Sequence, residues 1–212
     1  MSFRHVMRTL MRALGALFLA SALAAAAAPA ADVATAVPTE AGAPLLQALR
    51  NGGYVLYFRH TATDFGQNDQ AMTGYEDCAR QRNLTAAGRA DARAIGAAIR
   101  ALGIPIGAVL ASPFCRTKET AELMFGRATV APAVRGGPAN AEAGRYAELE
   151  RLLATSVPRG ANLVIASHGN PFVAVAGGPY LAEGEAAVIE PRGIAGFRVV
   201  ARIRKDEWTS LR

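Results

Sequence analysis

The sequence is poor in histidine, cysteine and tryptophan: 212 residues hold three, two and one of them. No CxxC or CxxxH spacing occurs, which argues against a structural zinc site. No run of five or more basic residues is present, and no basic stripe is interleaved with aromatics. Nucleic acid is therefore not an expected partner. There is also no internal repeat and no sign of a second domain, so the length suits one α/β domain with its own core.

The first residues stand apart from that domain. MSFRHVMRTLMRALG carries Arg4, Arg8 and Arg12 and no acid, and ALGALFLASALAAAAA (13–28) is uncharged and apolar. Ala28-Pro29-Ala30 fits a small-x-small cleavage site. This is the pattern of a secretory signal peptide over 1–30, with a retained membrane anchor as the alternative. Cleavage would leave no membrane span and would place the mature chain in the periplasm or outside the cell. Three arginines would leave with the signal, so Lys+Arg falls from 23 to 20 against 17 acids, and the net charge drops from +6 to +3. His5 would leave too, so the mature chain keeps two histidines, His60 and His168. In an oxidising compartment the even cysteine count favours a Cys78–Cys115 disulfide, the alternative being two buried thiols.

Residues 31–43 (ADVATAVPTEAGA) read as a flexible mature N-terminus, and residues 44–212 as the folded domain. A short helix is expected over 45–52 and a buried strand over 54–58. A long polar stretch follows at 61–83, of the kind that usually carries function. Thr85 should cap a helix over 86–103 that ends at Gly103. Strands are expected at 106–111 and 162–167, with a short one at 128–130. Further helices are expected after Ser112-Pro113, stopping at Gly126, and over 146–155. Two late strands, 185–190 and 197–203, flank a Pro-Arg-Gly turn and suit a hairpin. Strands alternating with helices predict a three-layer α/β/α sandwich around a mostly parallel central sheet. Trp208 suits a packing anchor for the tail.

Ligands of open α/β sheets bind beyond the carboxyl ends of the strands. Three predicted strands end in polar residues: Arg59-His60, Ser112 leading to Arg116, and Ser167-His168. If those strands are neighbours, two arginines and both mature histidines meet in one crevice. Guanidinium forks suit phosphate oxygens, and a neutral imidazole among them can attack phosphorus.

FRHTATD (58–64), SPFCRTKETAE (112–122) and ASHGN (166–170) together resemble the motifs of the histidine phosphatase, phosphoglycerate mutase-like, superfamily, over roughly residues 45–205. The resemblance implies a phosphatase needing no cofactor and no metal, in which His60 is transiently phosphorylated. Arg59 and Arg116 would hold phosphate oxygens, and His168 would donate to the phosphate. Thr61, standing where the family often has Gly, and Asn170 would complete the substrate-binding set. For the general acid, the family's usual segment is reduced here to 131–146, where Glu142 is the only acid. The LAEGEAA run resembles small exported members, so Glu185 ranks first as the acid, then Glu183, Asp64 and Glu142. The short 131–146 segment leaves no room for a large cap. An open pocket would suit a phosphate on a larger molecule, such as a sugar phosphate or other small molecule, a glycolipid or a protein. The alternative is a non-catalytic phosphate-binding domain on the same fold.

Overall fold

A strand buried on both faces must present an apolar side chain at every position. Residues Val55–Arg59 (β1) do so until the arginine. The computed structural model describes residues 41–138 and 140–211, all within one compact unit. The expected signal peptide, and the 31–40 part of the flexible N-terminus, lie outside the described residues. Gly42 and Ala43, expected in that segment, belong to the first helix.

In chain order the elements are α1 (Gly42–Asn51), β1, α2 (Ala86–Ala101), β2 (Ile106–Ala111), α3 (Cys115–Phe125) and β3 (Thr129–Val130). They continue with α4 (Ala147–Ala154), β4 (Asn162–Ser167), α5 (Gly169–Ala176), β5 (Ala186–Pro191) and β6 (Phe197–Ile203). Local chemistry sets several of the boundaries. The Thr85 hydroxyl accepts from the Gly88 N–H and caps α2. Gly126 stops α3 in the left-handed conformation that glycine adopts without a Cβ penalty. α5 lacks a helical pattern in the sequence. Pro171 is tolerated in it because it falls in the first turn, where a missing N–H costs no helix bond.

The sheet order is β3-β2-β4-β1-β5-β6. Pairs β2–β3, β2–β4 and β1–β4 are parallel. β5 runs antiparallel to β1, and β6 pairs antiparallel with β5 as the expected hairpin. The sheet is thus mostly parallel, with one reversed strand.

Alternation along β1 divides the core in two. Leu56 and Phe58 join the cluster containing Leu45 and Leu49 of α1, Ile95 and Ile99 of α2, and Met124 of α3. Val55 and Tyr57 join the opposite cluster with Leu149 and Leu153 of α4 and Phe172 of α5. Each large apolar side chain so buried contributes about 1.5–3 kcal/mol. Trp208 is buried and stacks on Phe58 with ring centroids 5.8 Å apart, fastening the tail to the first core. Among the described residues, no helix is long and apolar enough to cross a membrane.

Candidate active site

The strand order decides whether the polar strand ends meet. β4 lies between β2 and β1, with Ala166 opposite Ala111 and Ser167 opposite Arg59. The exits of all three strands are therefore side by side. Arg59, His60, Arg116, His168 and Asn170 line one cavity of about 340 Å³ at that edge.

His60 is 2 % exposed. Its Nδ1 lies 2.9 Å from the Thr61 carbonyl oxygen. A carbonyl only accepts, so Nδ1 carries the proton and Nε2 keeps its lone pair. Burial, and then the positive charges of Arg116, Arg59 and Arg82, push the His60 pKa down to about 3. The ring is neutral near pH 7, as a nitrogen nucleophile must be. His168 is buried beside it, with ring centroids 5.5 Å apart. Burial, followed by the proximity of His60 and the arginines, holds its pKa well below the usual histidine range. His168 Nε2 lies 2.8 Å from the Ser112 hydroxyl, while the Tyr57 hydroxyl donates to the His168 carbonyl at 2.8 Å.

Arg116 emerges from the first turn of α3 and is nearly fully buried. Its Nη1 donates to Asp69 Oδ1 at 3.0 Å, and its guanidinium lies 4.4 Å from the Phe114 ring centroid. Phe114 also meets His168 edge to face at 5.0 Å and Tyr75 at 5.1 Å. One aromatic ring thereby fixes both a guanidinium and an imidazole. Close backbone approach matters here too. A Cβ on Gly136 would lie 3.0 Å from His168 Cδ2 and 3.3 Å from Phe114, so a side chain here would crowd both rings.

The 61–83 stretch supplies two functional residues that the sequence reading missed. Arg82 lines the cavity as a third guanidinium, and Asp69 stands beside it. Asp69 accepts from the Arg82 backbone N–H at 2.9 Å as well as from Arg116. Desolvation works to raise its pKa, but these bonds and the two guanidiniums outweigh that and lower it. Nε of Arg82 and Nε of Arg116 are buried with no hydrogen-bond partner among the described residues. A buried unpaired N–H costs about 1–3 kcal/mol, more on a charged group. Arg82 and Arg116 both line the cavity, and their guanidinium forks suit an anion's oxygens.

Several expected positions need correction. Thr61 does not line the cavity. It is fully buried, its hydroxyl is 3.4 Å from that of Thr120 on α3, and its carbonyl holds His60. Glu185, the first-ranked acid, is also elsewhere. Its two carboxylate oxygens accept from Arg202 of β6 at 2.7 and 2.8 Å, and one accepts from the Ala182 N–H at 2.6 Å. Burial opposes ionisation of Glu185, yet these partners outweigh it and lower its pKa. Asp64 is exposed and caps the Gly66 N–H, and Glu142 is exposed outside the cavity. Glu183 lies on the Nδ1 side of His60, away from the cavity wall. Among the described residues, Asp69 is the only carboxylate that lines the cavity.

The expected bridge is present: Cys78 and Cys115 form a disulfide with Cα atoms 5.7 Å apart. It ties the loop that carries Arg82 to the residue preceding Arg116. Gln81 reinforces the joint, its Oε1 accepting from the Cys115 N–H at 2.9 Å and its Nε2 donating to the Tyr75 carbonyl at 3.0 Å.

The fold that carries these two histidines and three guanidiniums has counterparts. Residues 55–158 match the model of the histidine phosphatase superfamily, branch 1. Over that span, just under half of its length, the chain has the pattern of this superfamily. The matched span takes in Arg59-His60 and Arg116 and stops before His168. Solved histidine phosphatases share the fold. The SixA protein of Agrobacterium tumefaciens, assigned as a phosphohistidine phosphatase, is 14% identical at a TM-score of 0.51, covering 71% of this chain and 97% of its own. The protein histidine phosphatase SixA complexed with tungstate is 20% identical at a TM-score of 0.53, covering 72% and 97%. No curated protein matched the chain.

Proposed function

We propose that this chain is an exported phosphatase that hydrolyses a phosphate ester through a phosphohistidine on His60, without a metal ion. The observation that carries the reading is the convergence of Arg59, Arg82 and Arg116 with His168 on the cavity where His60 Nε2 keeps its lone pair.

The chemistry follows from these groups. Arg59, Arg82 and Arg116 take the non-bridging phosphate oxygens. A Ser112 hydroxyl donating to His168 Nε2 leaves the His168 proton on Nδ1. Neutral His168 can then add a hydrogen bond without adding charge repulsion. The lone pair of His60 Nε2 attacks phosphorus, the bond from phosphorus to the leaving oxygen breaks, and that oxygen keeps the electron pair. Water then attacks the phosphohistidine, the N–P bond breaks, and its pair returns to Nε2. Phosphoryl transfer needs chiefly positioning and charge neutralisation, which three guanidiniums supply.

The leaving oxygen has little help. Asp69 is held ionised by Arg116 and has no proton to give near neutral pH. Substrates whose leaving group departs without protonation are therefore favoured over simple alkyl phosphates. General acid catalysis is typically worth about 10²–10⁴-fold, so aryl phosphates should exceed glycerol phosphate by about that margin. The same shortage favours a second reading, a non-catalytic phosphate-binding domain. Export is supported by the leader-like N-terminus and by the disulfide, which persists in oxidising compartments.

The test is hydrolysis of para-nitrophenyl phosphate by the mature chain with EDTA present, beside His60→Ala. This substrate needs no acid, so it isolates the nucleophile. Turnover in the parent that is lost in the variant is the expected result. No turnover across pH 4–8, with orthovanadate still bound, would transfer the case to the binding-domain reading.

A further inference from the structure

Glu183 was weighed as a proton donor to the leaving group, but its position suits a different task. Its Oε1 is 3.9 Å from His60 Nδ1, the nitrogen opposite the attacking one. The same oxygen accepts from the Thr63 hydroxyl at 2.6 Å and lies 3.7 Å from Arg59 Nη2. The Thr63 N–H reaches Oε2 at 3.4 Å. The carboxylate is thus fixed at three points. Its side chain is 17 % exposed, so its charge is only partly screened.

His60 needs such a partner. The charged groups around its ring are Arg59 at the end of β1, Arg82 on the long loop and Arg116 on α3, and neutral His168 stands at the end of β4. Every one of those charges opposes positive charge on the imidazole. Attack through Nε2 nevertheless turns the neutral ring into a phosphoimidazolium that keeps its Nδ1 proton. The Thr61 carbonyl accepts that proton but carries no formal charge. Among the described residues, Glu183 is the carboxylate with an ion-pair-range contact to this ring.

Building on the phosphohistidine reading, we propose that Glu183 is a positioning residue: it holds the Nδ1–H form of His60 and stabilises the positive charge that the ring gains on phosphorylation. The two half-reactions should then respond unequally to its loss. Phosphorylation builds charge on the ring and needs Glu183. Dephosphorylation discharges the ring, so a nearby carboxylate gives it no help.

Glu183→Gln keeps an oxygen for Thr63 while removing the charge, and Glu183→Asp keeps the charge. Rapid-quench kinetics with para-nitrophenyl phosphate separate the steps, and ¹⁵N NMR of ring-labelled histidine reads the His60 tautomer without turnover. A charge partner at this range typically shifts a pKa by one unit or more, and one unit is a factor of ten. Glu183→Gln should slow phosphoenzyme formation about tenfold, leave its breakdown unslowed, and raise the Nε2–H population of resting His60. Glu183→Asp should recover part of the formation rate. Equal slowing of both steps, or an unchanged tautomer with an unchanged formation rate, would overturn the proposal. A parent that forms no phosphoenzyme would instead sink the phosphatase reading. The tautomer would then decide Glu183's role by itself, an unchanged tautomer in Glu183→Gln overturning it.

Discussion

Two neutral histidines buried among guanidiniums make the active site a cost to the fold in acid. The His60 value of about 3 lies below its ordinary 6.5, and His168 is displaced the same way. Between those values the unfolded chain binds protons that the folded chain refuses, so stability rises with pH through this window and is lost as pH falls below 6.5. The slope approaches about 1.4 kcal/mol per pH unit for each histidine. The depressed carboxylates Asp69 and Glu185 act lower, their contribution being lost only as pH falls below the ordinary carboxylate range. Urea midpoints measured from pH 7 to 5 should therefore fall, and His60→Asn should remove roughly half of the fall. A flat profile in the parent would mean that the histidines are protonated in the native state.

At the scale of elements, the site depends on a loop with little regular structure of its own. Residues 61–83 are held by the Cys78–Cys115 bridge, by Gln81, and by the Asp69 contacts to Arg82 and Arg116. The bridge closes 37 residues of chain, worth about 4 kcal/mol in the chain-entropy account. Its larger effect here should be on ligand binding, because it joins the elements carrying Arg82 and Arg116. Cys78→Ser with Cys115→Ser should weaken orthovanadate binding by about tenfold or more, a charge-assisted hydrogen bond being worth about 1.5–3 kcal/mol. Calorimetry on the folded double variant checks this. Unchanged affinity would show that Asp69 and Phe114 hold the arginines without the bridge.

This loop also marks where the sequence stops being legible. Arg59, His60 and His168 could be placed because a continuous apolar strand run ends abruptly at each of them, and Arg116 because it follows a Ser-Pro helix opening. Arg82 and Asp69 sit in a stretch with no period, fixed by bonds to residues far along the chain. Glu185 was misplaced for a related reason. Its partner Arg202 is set by the β5–β6 register, in which Ala187 faces Arg202, and no local pattern predicts that pairing. α2 shows the same dependence on packing. A Cβ on Gly96 would fall 2.1 Å from the Met124 carbonyl, so that glycine permits the contact with α3. The helix pattern alone shows nothing of this.

Over the whole molecule, the order β2-β4-β1 turns three separate motifs into one site. A sheet ordered otherwise would leave Arg116 and His60 apart. Function at this scale is a matter of charge. Among the described residues, three guanidiniums line a cavity whose only carboxylate is Asp69, while Glu183 stands behind the nucleophile. The local balance is positive, as a phosphate dianion requires.

The central claim is that His60 forms a bond to phosphorus, and trapping that bond tests it most directly. The mature chain would be mixed with para-nitrophenyl phosphate in EDTA, quenched in alkali within milliseconds, digested and sequenced by mass spectrometry. The expected result is a phosphoryl group on His60 that appears with the burst of nitrophenol and decays on a chase without substrate. Nitrophenol release with His60 never phosphorylated, or phosphorylation of another residue at the same rate, would contradict it.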